Sequence, residues 1–480
     1  MRRGIVVSVH RRRRTAGALA ATLITLGAAA CSSDPDDADG GTAPTNSPTA
    51  ETGPEATPAG GGDDEPITVP DSTVGEQVRW ILDQLDADSG PAPDEARERF
   101  AEVLLEQLPA EQMSTTFDQL RAVGPFEVTS YTESPSGANA NLLGADEQPF
   151  TLNVNVDDDG LIQGFFLRPA VEVSDDAGWE EIHAVLTETG AEASVLAADV
   201  VDGVCEPVHQ QAADQPRALG STFKLYVLGA VGQAVIDGNL AWDDTLQVTD
   251  ELKSLPSGEL QDRPAGTEVT VAEAAEGMIA ISDNTATDML IDAVGREAVE
   301  QAVVDMGHSN PQLLRPLLTT REMFWLAFTE SAPTDAWAAA DEAERRALLD
   351  DEPTGRLDVS PAELSTIAWT SEAAWFASAE DICAAHVALQ QLAEQEETST
   401  IRDIVAVNPG VDVDTVTWPY VAFKGGSNVG VLAGSWYAED TEGQGHVLVY
   451  LLNADDAQAL ADSSRAFVPA ERGLELLGAE

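Results

Sequence analysis

Lysine is nearly absent from this chain. It occurs only at Lys224, Lys253 and Lys424, so the remaining 25 − 3 = 22 cations are arginines. Guanidinium keeps its proton, so lysine has been retained where a removable proton or a compact cation is of use. Positive charge as a whole is scarce: 25 Lys+Arg against 84 Asp+Glu leave a net −59. Residues 1–30 hold six arginines and no acids, so the remainder carries −59 − 6 = −65. Such a surface repels phosphate backbones and anionic membranes, which excludes nucleic acid as a partner. It fits a salty or an acidic habitat and does not choose between them. Histidine is sparse, and His183, His209, His308, His386 and His446 show no ligand spacing; neither a metal nor another cofactor is expected. Cysteine occurs at Cys31, Cys205 and Cys383 alone.

Long apolar runs are missing too, apart from Ala16–Ala30, which follows the cluster Arg11-Arg12-Arg13-Arg14 and ends in Leu26-Gly27-Ala28-Ala29-Ala30-Cys31. This three-part layout is that of a secretory signal over residues 1–30, too short for a comfortable span. Its end resembles a bacterial lipobox, which makes Cys31 the lipidated first residue; cleavage before Cys31 to release a secreted protein is the alternative. Residues 31–71, rich in Asp, Gly, Pro and Thr, read as a disordered acidic linker. In an oxidising compartment Cys205 and Cys383 are free to pair, but the geometry that decides it is not readable from sequence.

Two folded units are expected beyond the linker. Over 72–174, Ser72-Thr73 caps a helix, a second starts at Asp94 and runs past Phe100 to Leu108, and a third starts at Pro109. Strand patterns follow at Phe126–Ser130, Leu152–Val156 and Leu161–Leu167, which makes a small α+β unit. Over 175–480 a helix at Trp179 and a strand at Ala193–Val200 precede the stretch Gly220-Ser221-Thr222-Phe223-Lys224. A helix through Ala274 and Met278 leads to Ser282-Asp283-Asn284-Thr285-Ala286-Thr287-Asp288. Strand-like Thr415–Trp418 and Val421–Phe423 then lead into Lys424-Gly425-Gly426-Ser427, followed by strands at Gly430–Ala438 and His446–Leu452 and a helix from about Ser463.

A serine at a helix start lies where free N–H groups favour developing negative charge, and Lys224 returns to the same face one turn on. A hydroxyl needs a neighbouring base to act as a nucleophile, and a buried lysine with a lowered pKa can be that base. Ser-x-x-Lys alone is a weak signal, equally that of a serine cap and a surface lysine. Together, Ser221-x-x-Lys224, Ser282-Asp283-Asn284 and Lys424-Gly425-Gly426 occur in the order found in the penicillin-recognising serine acyl-transferases. Residues 178–480 resemble a class A β-lactamase-type domain, which implies an antiparallel sheet packed by helices. The whole plan resembles the subgroup typified by the serine hydrolase of clavulanic acid gene clusters, whose N-terminal domain is similar to steroid-isomerase folds.

The resemblance implies roles. Ser221 would be acylated, Lys224 would manage its proton, and Ser282 would relay a proton to the leaving group. Asn284 would hold a substrate amide, and Asp283 would be structural. Lys424 would lower neighbouring pKa values and attract an anionic group. The N–H groups of Ser221 and Ser427, beside Gly426, would form an oxyanion hole. Two departures stand out. Gly425 replaces the usual threonine or serine, and no Glu-x-x-Leu-Asn string lies between Asn284 and Lys424. Glu322 is either a substitute base or a first-turn helix glutamate.

Two functions stay open. One is a serine hydrolase forming a Ser221 acyl-enzyme with β-lactam, ester or cell-wall peptide-like substrates, slow to release β-lactams. The other is a catalytically weak lipoprotein that binds cell-wall peptide or β-lactam as a sensor or scaffold. Either has a small acyl donor and a lipid anchor at Cys31 as partners, and is expected as a monomer outside the cytoplasm, on the outer face of the cell membrane.

Overall fold

The structure is a computed structural model that describes residues 67–479, except 135, 158, 330–331, 356, 358 and 360–365. The expected signal segment, Cys31 and the linker up to residue 66 lie outside the described residues.

Contacts divide the chain into two compact units. In the first, helices α1 (Thr73–Asp86), α2 (Pro93–Arg99), α3 (Glu102–Gln107) and α4 (Ala110–Arg121) precede β1 (Glu127–Ser134), β2 (Gly137–Leu143), β3 (Pro149–Val156) and β4 (Ile162–Pro169). The strands pair in chain order. Ser72 caps α1, accepting from Gly75 N at 2.9 Å. The single helix expected from Asp94 to Leu108 is instead two. Phe100 is extended, bridges to Ile162, and Ala101 N donates to Ile162 O at 2.9 Å. That break carries Phe100 into an aromatic cluster with Trp80, Phe117 and Phe165, their centroids 5.4–6.0 Å apart. Burying the ring outweighs a few helical hydrogen bonds, at about 1.5–3 kcal/mol per large apolar side chain.

The second unit starts with α5 (Trp179–Thr187), β5 (Glu192–Val201), β6 (Val204–Gln211), the short β7 (Arg217–Ala218) and α6 (Lys224–Ile236). β8 (Thr245–Gln247) and β9 (Glu268–Thr270) pair ahead of α7 (Val271–Ala280), α8 (Asn284–Val294) and α9 (Arg296–Asp305). Next come α10 (Thr320–Phe328), α11 (Thr334–Ala339), α12 (Glu342–Leu349), β10 (Phe376–Ala377), α13 (Ala379–Ala393) and α14 (Thr400–Ala406). β11 (Tyr420–Asn428), β12 (Val431–Glu439), β13 (Gly445–Asn453) and α15 (Ser464–Gly478) close the chain. The main sheet is antiparallel in the order β11-β12-β13-β5-β6.

Strand alternation splits the sheet between two cores. Leu196, Val447, Val449 and Leu451 face the helices led by α6, while Val195, Leu448, Tyr450 and Leu452 face α5 and α15. α6 is the central helix, and every residue from Lys224 to Gly232 is buried. A helix apolar on all sides belongs inside a core, which explains how a lysine at its first position becomes buried. Cys205 on β6 and Cys383 on α13 form a disulfide across 178 residues. In chain-entropy terms closing so long a loop is worth about 5 kcal/mol. The stretch Thr415–Trp418 is a turn and not a strand: Asp414 accepts from Val416 N and Thr417 Oγ1. Aspartate supplies a local partner that competes with sheet pairing.

Candidate active site

Ser221 sits in a 3-10 turn, Gly220–Phe223, that runs directly into α6. Three contacts fix this turn. Asn453 on β13 brackets Ala218 with both ends of its amide, at 2.8 and 3.2 Å. Leu219 N donates to Trp375 O at 2.9 Å, and Trp375 stacks on Phe223 with centroids 3.8 Å apart. Gly220 takes φ +51°, and a Cβ there would lie 2.6 Å from Ser427 N. A Cβ on Gly426 would lie 2.0 Å from Leu219 O and 2.7 Å from Ser221 N. Turn and strand therefore meet backbone to backbone, with the N–H groups of Ser221 and Ser427 at the junction.

Ser282 lies between α7 and α8 with φ +59°, a left-handed conformation for a residue with a side chain. Holding it costs about 1–3 kcal/mol, which the surroundings must supply. Asp283 caps α8 by accepting from Ala286 N at 2.8 Å, and its second oxygen takes Glu259 N and Leu260 N at 2.7 and 2.9 Å. It is a structural residue, in line with the role expected for it.

Lys224 Nζ donates to Ser282 O at 2.6 Å, Ser282 Oγ at 3.1 Å and Asn284 Oδ1 at 2.7 Å. Among the described residues Ser221 Oγ has no hydrogen-bond partner, so the hydroxyl is unengaged. Asn284 Nδ2 donates to Leu255 O at 3.0 Å, which leaves its amide committed at both ends. Lys424 enters from β11, and its Nζ donates to Ser282 Oγ at 3.1 Å and Gly425 O at 2.9 Å. Ser282 Oγ thus stands between two buried amines.

Burial first, and then the charge of Lys424, hold the Lys224 amine well below the ordinary lysine range. Burial brings Lys424 down to about 7. Behind Lys424, Ser435 Oγ donates to its carbonyl at 2.8 Å, and His386 Nε2 lies 3.0 Å from that hydroxyl. Burial drops His386 to about 3, so it is a neutral ring.

One turn beyond Asn284, Asp288 accepts from Thr320 N, Arg321 N and Thr320 Oγ1 at 2.7–2.9 Å, tying the start of α10 to α8. Burial raises its pKa to about 7 against the pull of these donors. Glu322 has the structural role of the two expected: it closes a capping box with Thr319 and pairs bidentately with Arg296 at 2.6 and 2.9 Å. A carboxylate held that way is not free to activate water. Glu352, raised by burial to about 7, lies 2.8 Å from Arg321 Nε.

Residues 178–404 match the beta-lactamase enzyme family. The match ends before Lys424, which β11 brings to Ser282. Residues 69–162 match a second family, described as the ORF 12 gene product N-terminal. Solved structures similar to this chain include a beta-lactamase from Sphaerobacter thermophilus, at 22% identity, 63% of this chain, 97% of that one and a TM-score of 0.44. A beta-lactamase from Desulfarculus baarsii gives 17%, 64%, 100% and 0.43, and PBP-A gives 16%, 62%, 97% and 0.39. No curated protein sequence matches the chain.

Ser221, Lys224, Ser282, Asn284, Lys424, Gly426 and Ser427 are all brought together in the second unit. Sequence reasoning missed Ser257 and Leu255, whose contacts with Ser282 and Asn284 carry no motif, and Trp375. Asp288 carries a signal in the sequence only through its spacing of four from Asn284, which places both on one helix face. A cavity of about 450 Å³ lies at the far end of α6, lined by Ala230, Gln233, Asp237, Ala302, Met306 and Leu392 among others, and shares none of the motif residues.

Proposed function

We propose that the second unit is a serine acyl-transfer hydrolase that forms an acyl-enzyme on Ser221 with β-lactam, ester or cell-wall peptide-like substrates. The observation that carries this reading is Ser282 Oγ, 3.1 Å from the amines of both Lys424 and Lys224, the latter one turn after Ser221. Neutral Lys224 takes the Ser221 proton as the oxygen bonds to the substrate carbonyl carbon. The N–H groups of Ser221 and Ser427 receive the oxyanion. Ser282 passes its proton to the departing nitrogen or oxygen and is reprotonated from the lysine pair, and the acyl bond to the leaving group breaks.

Release is the slow half of the reaction. Glu322 is tied to Arg296, and the sequence holds no Glu-x-x-Leu-Asn, so a bulky β-lactam adduct lacks the usual activated water. Gly425 pairs with Gly434 on β12, so neither strand offers a hydroxyl at that register for a carboxylate. Small uncharged esters, whose adducts leave room for bulk water, turn over faster.

The reading includes a lipid-anchored, extracytoplasmic, monomeric protein with a steroid-isomerase-like first unit. The disulfide supports passage through an oxidising compartment. Four helices followed by a four-stranded meander support the likeness of the first unit.

Time-resolved intact mass of the protein lacking residues 1–31 tests the reaction. Penicillin is expected to leave an adduct on Ser221 that persists for minutes, while p-nitrophenyl acetate turns over; Ser221→Ala does neither. Undiminished hydrolysis by Ser221→Ala would place the nucleophile elsewhere. Prompt return to the free mass after penicillin removal would overturn slow release.

A further inference from the structure

The segment Leu255–Leu260 belongs to none of the three motifs, yet it wraps the Ser282 loop from the solvent side. Ser257 Oγ donates to Ser282 O at 2.8 Å, and Asn284 N donates to Ser257 O at 3.0 Å. Leu255 O receives Asn284 Nδ2, and Glu259 N and Leu260 N hold Asp283. Gly258 permits this approach: a Cβ there would lie 2.3 Å from the Asp283 carboxyl carbon, and its φ is +108°. One short stretch therefore touches all three residues of the Ser282-Asp283-Asn284 loop.

Ser257 is exposed, so its hydroxyl has water as an alternative partner and gains nothing from burial. Its oxygen is nonetheless directed at the carbonyl that also takes Lys224 Nζ at 2.6 Å. Ser282 O thus has two donors: the catalytic amine from within and Ser257 from outside. Because Ser282 has φ +59°, its peptide is the part of the loop most in need of an external hold. Rotation of that carbonyl would carry Ser282 Oγ off the line between Lys224 and Lys424.

We propose that Ser257 is a positioning residue: its hydroxyl holds the Ser282 carbonyl, and through it keeps Ser282 Oγ between the two lysines. It deepens the acyl-transfer reading and rests on it for its kinetic consequence, though not for the conformational one. With Ser257 in place the Ser282 carbonyl also divides its lone pairs between two donors, which weakens its grip on a protonated Lys224. Loss of the hydroxyl leaves that carbonyl to the amine alone and favours the ammonium form.

The experiment compares Ser257→Ala and Ser257→Thr with the parent by acylation kinetics with p-nitrophenyl acetate across pH, and by hydrogen-exchange mass spectrometry of residues 278–286. Ser257→Ala is expected to lower the acylation rate five- to twenty-fold with KM within twofold, to move the rising limb of the pH profile upward, and to increase exchange in 278–286 only. Ser257→Thr, which keeps a hydroxyl, is expected to restore the rate to within threefold. A rate within twofold of the parent for Ser257→Ala, or a loss that threonine does not rescue, would overturn the proposal. So would unchanged exchange in 278–286. If Ser221→Ala retained activity while Ser257→Ala still loosened that peptide, the acyl-transfer reading would fail and the hold on Ser282 would stand.

Discussion

At the scale of single residues, the site is a matter of where protons sit. The grouping of Ser221, Lys224, Ser282 and Lys424 was legible because each lies in a motif of short spacing within one turn or strand. The rarity of lysine added weight that a lysine-rich chain would not have given. What could not be read is the depth of burial that brings Lys424 to about 7. That value separates two kinds of substrate. An uncharged ester needs only a neutral Lys224, whose pKa burial and the charge of Lys424 hold well below the ordinary lysine range, so its acylation rate should rise with pH and level off below that range. Penicillin carries a carboxylate and also needs the Lys424 cation, so its rate should rise and then fall above about pH 7. The fall would not be unfolding. An unfolded lysine keeps its proton to about 10.5, so between 7 and 10.5 the unfolded state binds more protons. The Lys424 contribution to stability therefore grows with pH across that window. Stopped-flow acylation at constant ionic strength checks both profiles, and a penicillin rate still climbing at pH 9 would remove Lys424 from carboxylate binding.

At the scale of elements, apolar periodicity located α5, α7, β5, β12, β13 and α15 well, because each has one face committed to a core. It misjudged Thr415–Trp418, where Thr-Val-Thr-Trp alternates like a strand while Val416 is 77% exposed. It passed over β2 and β6. β2 is spelled with Gly, Ala and Asn, and β6 lies at the sheet edge, with Val204 62% exposed. Nor could it show why Gly426 must be glycine, since the reason lies in a turn some 200 residues earlier. β11 and the Ser221 turn meet with no room for a methyl group, Leu219 O being 2.0 Å from a Cβ. Gly426→Ala must push the two apart, which costs about 1–3 kcal/mol of stability as overpacking. It also separates the N–H groups of Ser221 and Ser427, and losing one oxyanion donor typically costs about 10²–10³ in rate. Acylation by p-nitrophenyl acetate should fall at least a hundredfold in a variant that still melts cooperatively. A loss below threefold would mean that the junction does not form the oxyanion hole.

At the scale of the molecule, the charge imbalance is the property least tied to the reaction. From residue 31 onward 84 carboxylates face 25 − 6 = 19 arginines and lysines. Cations are therefore shared: Arg346 alone lies within 4 Å of Glu297, Glu300 and Glu342. Salt acts on such a chain in two opposed ways. It weakens ion pairs, but the best of these are partly buried, such as Arg296 with Glu322, and are screened least. It also weakens repulsion among the carboxylates that 19 cations cannot pair, which 84 Asp and Glu make the majority. As the Debye length shrinks from about 30 Å at 0.01 M to about 3 Å at 1 M, the second effect should win. Tm is expected to rise by roughly 5 °C between 10 mM and 1 M NaCl, at about 2 °C or less per kcal/mol for a unit as long as Arg168–Glu480. Sodium chloride is the proper salt, since sulfate would strengthen apolar burial in any protein. An equal osmolality of sorbitol serves as the control for solvent exclusion without screening. A Tm that stays flat or falls with NaCl would mean that the shared ion pairs outweigh the repulsion among the unpaired carboxylates.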